Sequence, residues 1–144
     1  MSHWAKSQHP DATVIYNDFD DYSRRVANIE RTNALLAEFR IILKEAPVDK
    51  VISKEAKAAI LKAVRRVENR SGYVDYITIS SSLLFSMNYA TNYDDLSKQC
   101  MYNCVRKNDY ELAPDYLQGI EVVKVDYRQL FDRWKHVDGV VFFY

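Results

Sequence analysis

The stretch "ATVIYNDFDDY", residues 12–22, changes from an apolar, β-prone run to a cluster of acids within a few residues. The apolar run predicts a short strand, and Asn17 with Asp18 predicts the loop that ends it. Residues 20–46 follow with apolar side chains at helical spacing, so we expect one long helix that Pro47 stops. A strand, a tight loop and a long helix in this order are typical of an α/β protein.

The far end of the chain predicts a second α/β piece. Residues 120–126, "IEVVKVD", have the pattern of a strand that ends in an acid, and residues 127–137 that of a short helix. The uninterrupted apolar run of residues 140–143 is typical of a last strand that is buried on both faces. Two α/β pieces at the two ends of the chain indicate a partly parallel sheet.

The middle of the chain predicts helices. One begins after Ser53, a second is expected after Ser80, and a third is expected from about Asp94 to Arg106. The third helix would carry Cys100 and Cys104 on one side, and we interpret both cysteines as reduced, buried thiols.

Composition limits the class of protein. The chain has 144 residues, of which 48% are hydrophobic and 28% charged, so it is globular and the size of one domain. Lys and Arg together equal Asp and Glu at 20 each, so net charge does not predict a nucleic-acid partner. The sequence shows neither a membrane-spanning stretch nor a signal peptide, and we expect a cytoplasmic protein.

Acids follow both predicted strands. Asp18 follows the first, while Asp126 follows the second and is joined to Tyr127. The carboxyl ends of parallel strands are where open α/β sheets bind ligands, and a carboxylate suits the two hydroxyls of a ribose. An acid in this position is also a common helix cap, and Asp20 or Asp21 could cap the first long helix. The residues alone leave both interpretations open.

Basic residues cluster on the helix that follows Ser53. The candidates for contact with DNA phosphates are Lys62, Arg65, Arg66 and Arg70. The alternative is an ordinary solvated helix face. The three histidines are scattered, and no metal site or nucleophile–base arrangement is predicted.

Two stretches carry a family resemblance. "ATVIYNDFDDYSRRVANIERTNALL" resembles the segment of Dam-type adenine-specific DNA methyltransferases in which an Asn-Asp acid stands between a strand and a helix. "IEVVKVDYRQLFDRWKHVDGVVFFY" resembles the segment that leads into the Asp-Pro-Pro-Tyr motif of that family. The glycine-rich cofactor motif and the Asp-Pro-Pro-Tyr motif themselves are absent from these 144 residues, and the middle of the chain departs from the family pattern.

The resemblance implies a fold, a cofactor and a partner. It implies a partial Rossmann-like methyltransferase sheet of about three strands, formed by residues 1–46 and 119–144, with a helical insert over 47–118 where the family has its DNA-recognition domain. It implies that Asp18 accepts the ribose hydroxyls of S-adenosylmethionine and that Asp126 and Tyr127 contact the adenine ring. Double-stranded DNA is the implied partner.

These implications predict a fragment of an adenine-specific DNA methyltransferase that is inactive by itself, with no catalytic residue of its own and weak or no cofactor binding. A non-catalytic DNA-binding or protein-interaction module of a phage or mobile element is the alternative. A sheet with exposed edges also predicts a homodimer that closes the sheet between chains.

Overall fold

Two short strands form a parallel sheet in the computed structural model, which describes residues 2–139. Strand β1 is Ile15–Asn17 and strand β2 is Glu121–Val123. Ile15 is paired with Glu121, and Asn17 with Val123. Both strands are where the sequence predicts them, and the protein has the mixed helix and sheet content of an α/β fold. The predicted third strand, residues 140–143, lies outside the described residues.

Seven helices are present within residues 2–139. They are α1 Ser2–Gln8, α2 Tyr22–Ala27, α3 Ile29–Ile42, α4 Lys54–Ser71, α5 Tyr76–Leu83, α6 Tyr93–Lys98 and α7 Tyr127–Trp134. Helix α4 begins where predicted, because Ser53 accepts a hydrogen bond from the backbone N–H of Ala56 at 3.1 Å. It ends at Gly72, whose φ of 68° is left-handed and favours glycine. None of these helices has the length and apolar character that crossing a membrane requires.

The predicted helix over residues 20–46 is wrong in three respects. It is broken at Asn28, which has φ −113° and ψ 16° and whose side-chain oxygen accepts a hydrogen bond from Arg31. Asparagine is a weak helix former because its side chain competes for local hydrogen bonds. The second piece ends at Ile42, well before Pro47. The first piece, α2, is capped by the side chain of Asp18 and not by that of Asp20 or Asp21.

The predicted helix from Asp94 to Arg106 is also wrong, because α6 ends at Lys98 and the chain then becomes extended. Tyr102 forms an antiparallel bridge with Val51, and Met101 accepts a hydrogen bond from Ile52. The burial alternates along this segment as in a strand, with Met101 buried and Cys100 exposed. Neither cysteine forms a disulfide within residues 2–139, and the prediction that both are buried is wrong, because Cys100 is exposed and Cys104 is only half-buried.

The helix expected after Ser80 begins earlier. Asp75 caps α5 by accepting hydrogen bonds from the backbone N–H of Thr78 at 2.9 Å and from its hydroxyl at 2.5 Å. The helix therefore starts at Tyr76 and ends at Leu83.

The described chain divides into two compact units. The sheet unit is residues 2–27 with 113–139, and the helical unit is residues 28–112. Helix α3 packs with α4 and α5 inside the helical unit, which therefore starts before the predicted insert at residue 47. The assignment of residues 1–46 and 119–144 to one functional domain, and of 47–118 to another, stays a prediction.

Candidate functional site

The acids predicted at the strand ends belong to neighbouring strands of the sheet unit. β1 and β2 are parallel, so their carboxyl ends lie at the same edge of the sheet. The backbone N–H of Asp18 donates to the carbonyl of Val123 at 2.7 Å, which continues the ladder one residue past β1. Asp126 follows β2 after two residues and begins α7.

The side chain of Asn17 extends this pairing further. Its Nδ2 donates to the carbonyl of Val125 at 2.8 Å, and its Oδ1 accepts from the N–H of Val125 at 3.1 Å. We call these two bonds the Asn17 pair. They let a side chain act as a strand partner for Val125, the residue before Asp126. Sequence analysis did not single out Asn17 for this role.

Asp18 is the one residue of the described sheet unit that is fully buried, with 3% of its surface exposed. Its Oδ1 accepts from the N–H of Tyr22 at 2.5 Å, and its Oδ2 accepts from the N–H of Ser23 at 3.1 Å and from the Ser23 hydroxyl. A carboxylate has about four acceptor positions, and three are in use. Asp18 therefore caps α2, and these three hydrogen bonds leave about one of its acceptor positions without a partner among residues 2–139.

Asp126 and Tyr127 are open to solvent. Asp126 caps α7 by accepting from the N–H of Arg128 at 2.8 Å. Tyr127 is 60% exposed, and Arg128 donates from its Nε to the Tyr127 hydroxyl at 3.2 Å. The ring of Tyr127 is thus largely exposed, and the guanidinium carbon of Arg128 lies 5.6 Å from its centroid.

Aromatic side chains that the sequence did not predict as site residues form a cluster in the sheet unit. His3 stacks on Tyr116 with ring centroids 5.0 Å apart, and Tyr22 meets the edge of Tyr116 at 5.9 Å. Burial, together with the nearby carboxylates of Asp20 and Asp18, raises the pKa of Tyr16 to about 12. Burial also raises the pKa of Tyr22. His3, Tyr22 and Tyr116 are far apart in the sequence, so their spacing does not predict the cluster.

The four predicted DNA-binding cations are all exposed on α4 in the helical unit, but they have different neighbours. Arg66 forms an ion pair with Glu38 of α3. Arg65 pairs with Glu68 at 3.0 Å and lies over the ring of Tyr93 at 3.5 Å. Lys62 and Arg70 have no ion pair with any residue among 2–139. The structure therefore leaves two of the four cations free for a partner.

Within residues 2–139 there is no group of three or more His, Cys, Asp or Glu side chains that could hold a metal ion.

The chain is similar to a protein of Haemophilus influenzae (strain Rd) that bears the provisional name of a methyltransferase. The two are 37% identical over 142 residues, which are 98% of this chain and 47% of the relative. The comparison supports a methyltransferase. The chain spans about half the length of the relative that it matches. No protein-family model and no solved structure matches the chain.

Proposed function

We propose that the protein acts in S-adenosylmethionine-dependent methylation of adenine in DNA, as a Dam-type methyltransferase with a Rossmann-like sheet. The observation that carries this proposal is the position of Asp18 and Asp126 after neighbouring parallel strands, at the edge where such sheets bind nucleotides. The similarity to a methyltransferase supports the same conclusion. In this proposal the sheet unit binds the cofactor and the helical unit contacts double-stranded DNA.

The residues at the strand ends have chemical groups that could bind the nucleoside part of the cofactor. Asp18 would accept a ribose hydroxyl in its remaining acceptor position, and a second one when the Ser23 hydroxyl turns away. The exposed ring of Tyr127 would stack on adenine, and Asp126 would accept a hydrogen bond from it. S-adenosylmethionine supplies the methyl group when it is bound. The contribution of these residues is to bind and orient the nucleoside part.

The groups that would hold the target adenine are not among these 144 residues. The three prolines are Pro10, Pro47 and Pro114, so no Asp-Pro-Pro-Tyr motif is present, and the three glycines are far apart. We therefore expect no methyl transfer by this chain alone, because neither the methionine part of the cofactor nor the adenine is positioned. The same observation favours a second candidate function, a DNA-binding or interaction module without chemistry.

The proposed partner of the helical unit is double-stranded DNA, through Lys62 and Arg70 and, after exchange of their ion pairs, Arg65 and Arg66. For the sheet unit we propose a homodimer through the edges of β1 and β2 that pair with no other strand within residues 2–139, because unpaired strand edges are templates for pairing.

The test is a titration of the chain with S-adenosylmethionine, followed by amide chemical shifts. We expect a weak dissociation constant, on the order of 1 mM, with shifts at residues 18–23 and 125–128. Asp18→Asn should abolish these shifts. Asp75→Asn is the matched control, because Asp75 is also a buried helix-capping acid that accepts from a backbone N–H and a hydroxyl. Shifts that are absent in the wild type, or equally reduced in both variants, would exclude the proposed site.

A further inference from the structure

Two asparagine side chains of this protein imitate a strand partner. In the sheet unit Asn17 forms its pair with Val125. In the helical unit Asn33 donates to the carbonyl of Tyr110 at 2.8 Å and accepts from its N–H at 2.9 Å. Each amide uses one donor and one acceptor on a single distant residue. The geometry is the same, but only the Asn17 pair lies beside predicted cofactor-binding residues.

The Asn17 pair is located where the two backbones separate. The ladder ends with the bond from Asp18 to Val123, after which one chain turns into α2 and the other into α7. Another link between these segments is the ion pair of Lys124 with Asp21 at 2.6 Å, and both of its side chains are half exposed. An exposed ion pair contributes little to holding a fixed distance.

We propose that Asn17 is a positioning residue that sets the spacing between Asp18 and the Asp126–Tyr127 pair. The inference rests on the proposed function, in which one nucleoside contacts both places. Asn17 directly precedes Asp18, and Val125 directly precedes Asp126, so the two hydrogen bonds fix the backbone immediately before each acid. A ligand that spans both places gains from this fixed spacing, whereas a ligand held at one place does not.

The spanning requirement defines the experiment. Adenosine presents the 2′ and 3′ hydroxyls to Asp18 and a base to Asp126 and Tyr127, while 2′,3′-dideoxyadenosine keeps the base and the sugar ring but lacks these two hydroxyls. The wild-type chain should bind adenosine at least roughly tenfold more tightly than the dideoxy compound, because a tenfold ratio corresponds to about 1.4 kcal/mol and a hydrogen bond to a charged group contributes about that much or more. Asn17→Ala should reduce this ratio to about one by weakening adenosine binding alone. A general loss of structure would weaken both ligands.

Matched variants separate the possible results. Asn33→Ala removes the same type of pair from the helical unit and should leave the ratio unchanged. If Asn17→Ala unfolds the sheet unit, the variant Asn17→Gln is used in its place. Glutamine keeps the amide but moves it outward by one methylene, so the ratio of the two affinities should still fall. A wild-type ratio that survives in the folded Asn17 variant overturns the positioning role and leaves the proposed function standing. A wild-type chain without any preference for adenosine overturns both.

Discussion

The two units of the protein bury different kinds of side chain. Every fully buried apolar side chain among residues 2–139 belongs to the helical unit, between Leu35 and Met101. In residues 2–27 and 113–139 the one fully buried residue is the acid Asp18. The helical unit thus has a conventional apolar core, while the described sheet unit is organised around hydrogen bonds to a carboxylate and an amide.

This difference bears on stability and on function. Burial of apolar surface is the main stabilising contribution to a fold, and a two-stranded sheet is marginal by itself. Residues 2–27 and 113–139, taken as described, should therefore open locally more easily than the helical unit. The hydrogen bonds that these residues do make converge on the strand ends, where we place the cofactor. Within residues 2–139, the unit that carries the proposed cofactor site is accordingly the one with the smaller apolar core.

The largest expected effect tests the core of the helical unit. Phe39 is fully buried in α3, so Phe39→Ala should lower the free energy of unfolding by about 3–5 kcal/mol through lost contacts and a cavity. Val122→Ala in β2, where the side chain is 41% exposed, should cost less than about 1 kcal/mol. Urea denaturation of both variants is the measurement. Equal losses would contradict the contrast between the units.

The next effect concerns the cations of the helical unit. Lys62→Ala with Arg70→Ala should weaken binding to any duplex DNA roughly tenfold and reduce the slope of log affinity against log salt by about 1.8, because two free cations are lost. Arg65→Ala with Arg66→Ala should have a smaller effect, since both arginines already pair with acids. Titrations at several salt concentrations compare the two double variants. A larger effect of the Arg65 and Arg66 changes would show that their ion pairs are exchanged for phosphates at little cost.

Local signals in the sequence predicted part of the fold. The cap at Ser53, the stop at Gly72 and the two strands are each specified within a few residues, and the structure has them. The run "CMYNC" has a misleading local signal, because its cysteines at i and i+4 fit a helical face while the segment is extended. The alternation that buries Met101 and Asn103 has period two, and it depends on pairing with the distant segment around Val51.

The candidate site was predicted in part for the same reason. Asp18 and Asp126 could be placed at strand ends because the strands were recognised. The Asn17 pair joins residues 108 positions apart, and the contact of Tyr22 with Tyr116 is also distant, so neither leaves a local pattern. The cap at Asp18 could not be predicted, because it depends on the residue at which α2 begins. Helix boundaries are difficult to locate to within one or two residues.

A smaller effect tests whether the buried acid of the sheet unit is a ligand site as well as a cap. The Ser23 hydroxyl occupies an acceptor position of Asp18 that a ribose hydroxyl would need. Ser23→Ala should therefore strengthen adenosine binding by about two- to fivefold, a fraction of one hydrogen bond. Thr78→Ala removes the corresponding hydroxyl from Asp75 in the helical unit and is the control. Calorimetry or chemical-shift titration that shows unchanged or weaker adenosine binding in Ser23→Ala would mean that Asp18 only caps α2.

The smallest effect compares one tyrosine from each unit at alkaline pH. Burial, and then the carboxylate of Glu68 that accepts from its hydroxyl at 2.7 Å, raises the pKa of Tyr76 in the helical unit. In the sheet unit burial and two carboxylates raise the pKa of Tyr16 to about 12. An unfolded tyrosine titrates near 10. Above pH 10 the unfolded chain has therefore lost protons that the folded chain keeps, so stability is full below pH 10 and falls as the pH rises towards 12.

Substitution by phenylalanine removes the titrating group and should flatten this fall. Tyr76→Phe should reduce the slope of the urea midpoint against pH between about pH 9 and 11. The slope is measured, and not the midpoint itself, because loss of the hydrogen bond to Glu68 shifts the midpoint at every pH. Tyr16→Phe should change the global midpoint less, since the sheet unit contributes less to global unfolding, and should instead alter the pH dependence of amide exchange in β1 and β2. Equal slopes for the wild type and Tyr76→Phe would show that the phenol ionises as easily in the folded helical unit as in the unfolded chain. If Tyr16→Phe also reduced the slope of the urea midpoint against pH, the two units would unfold together. They would then differ in the kind of side chain that they bury and not in their stability.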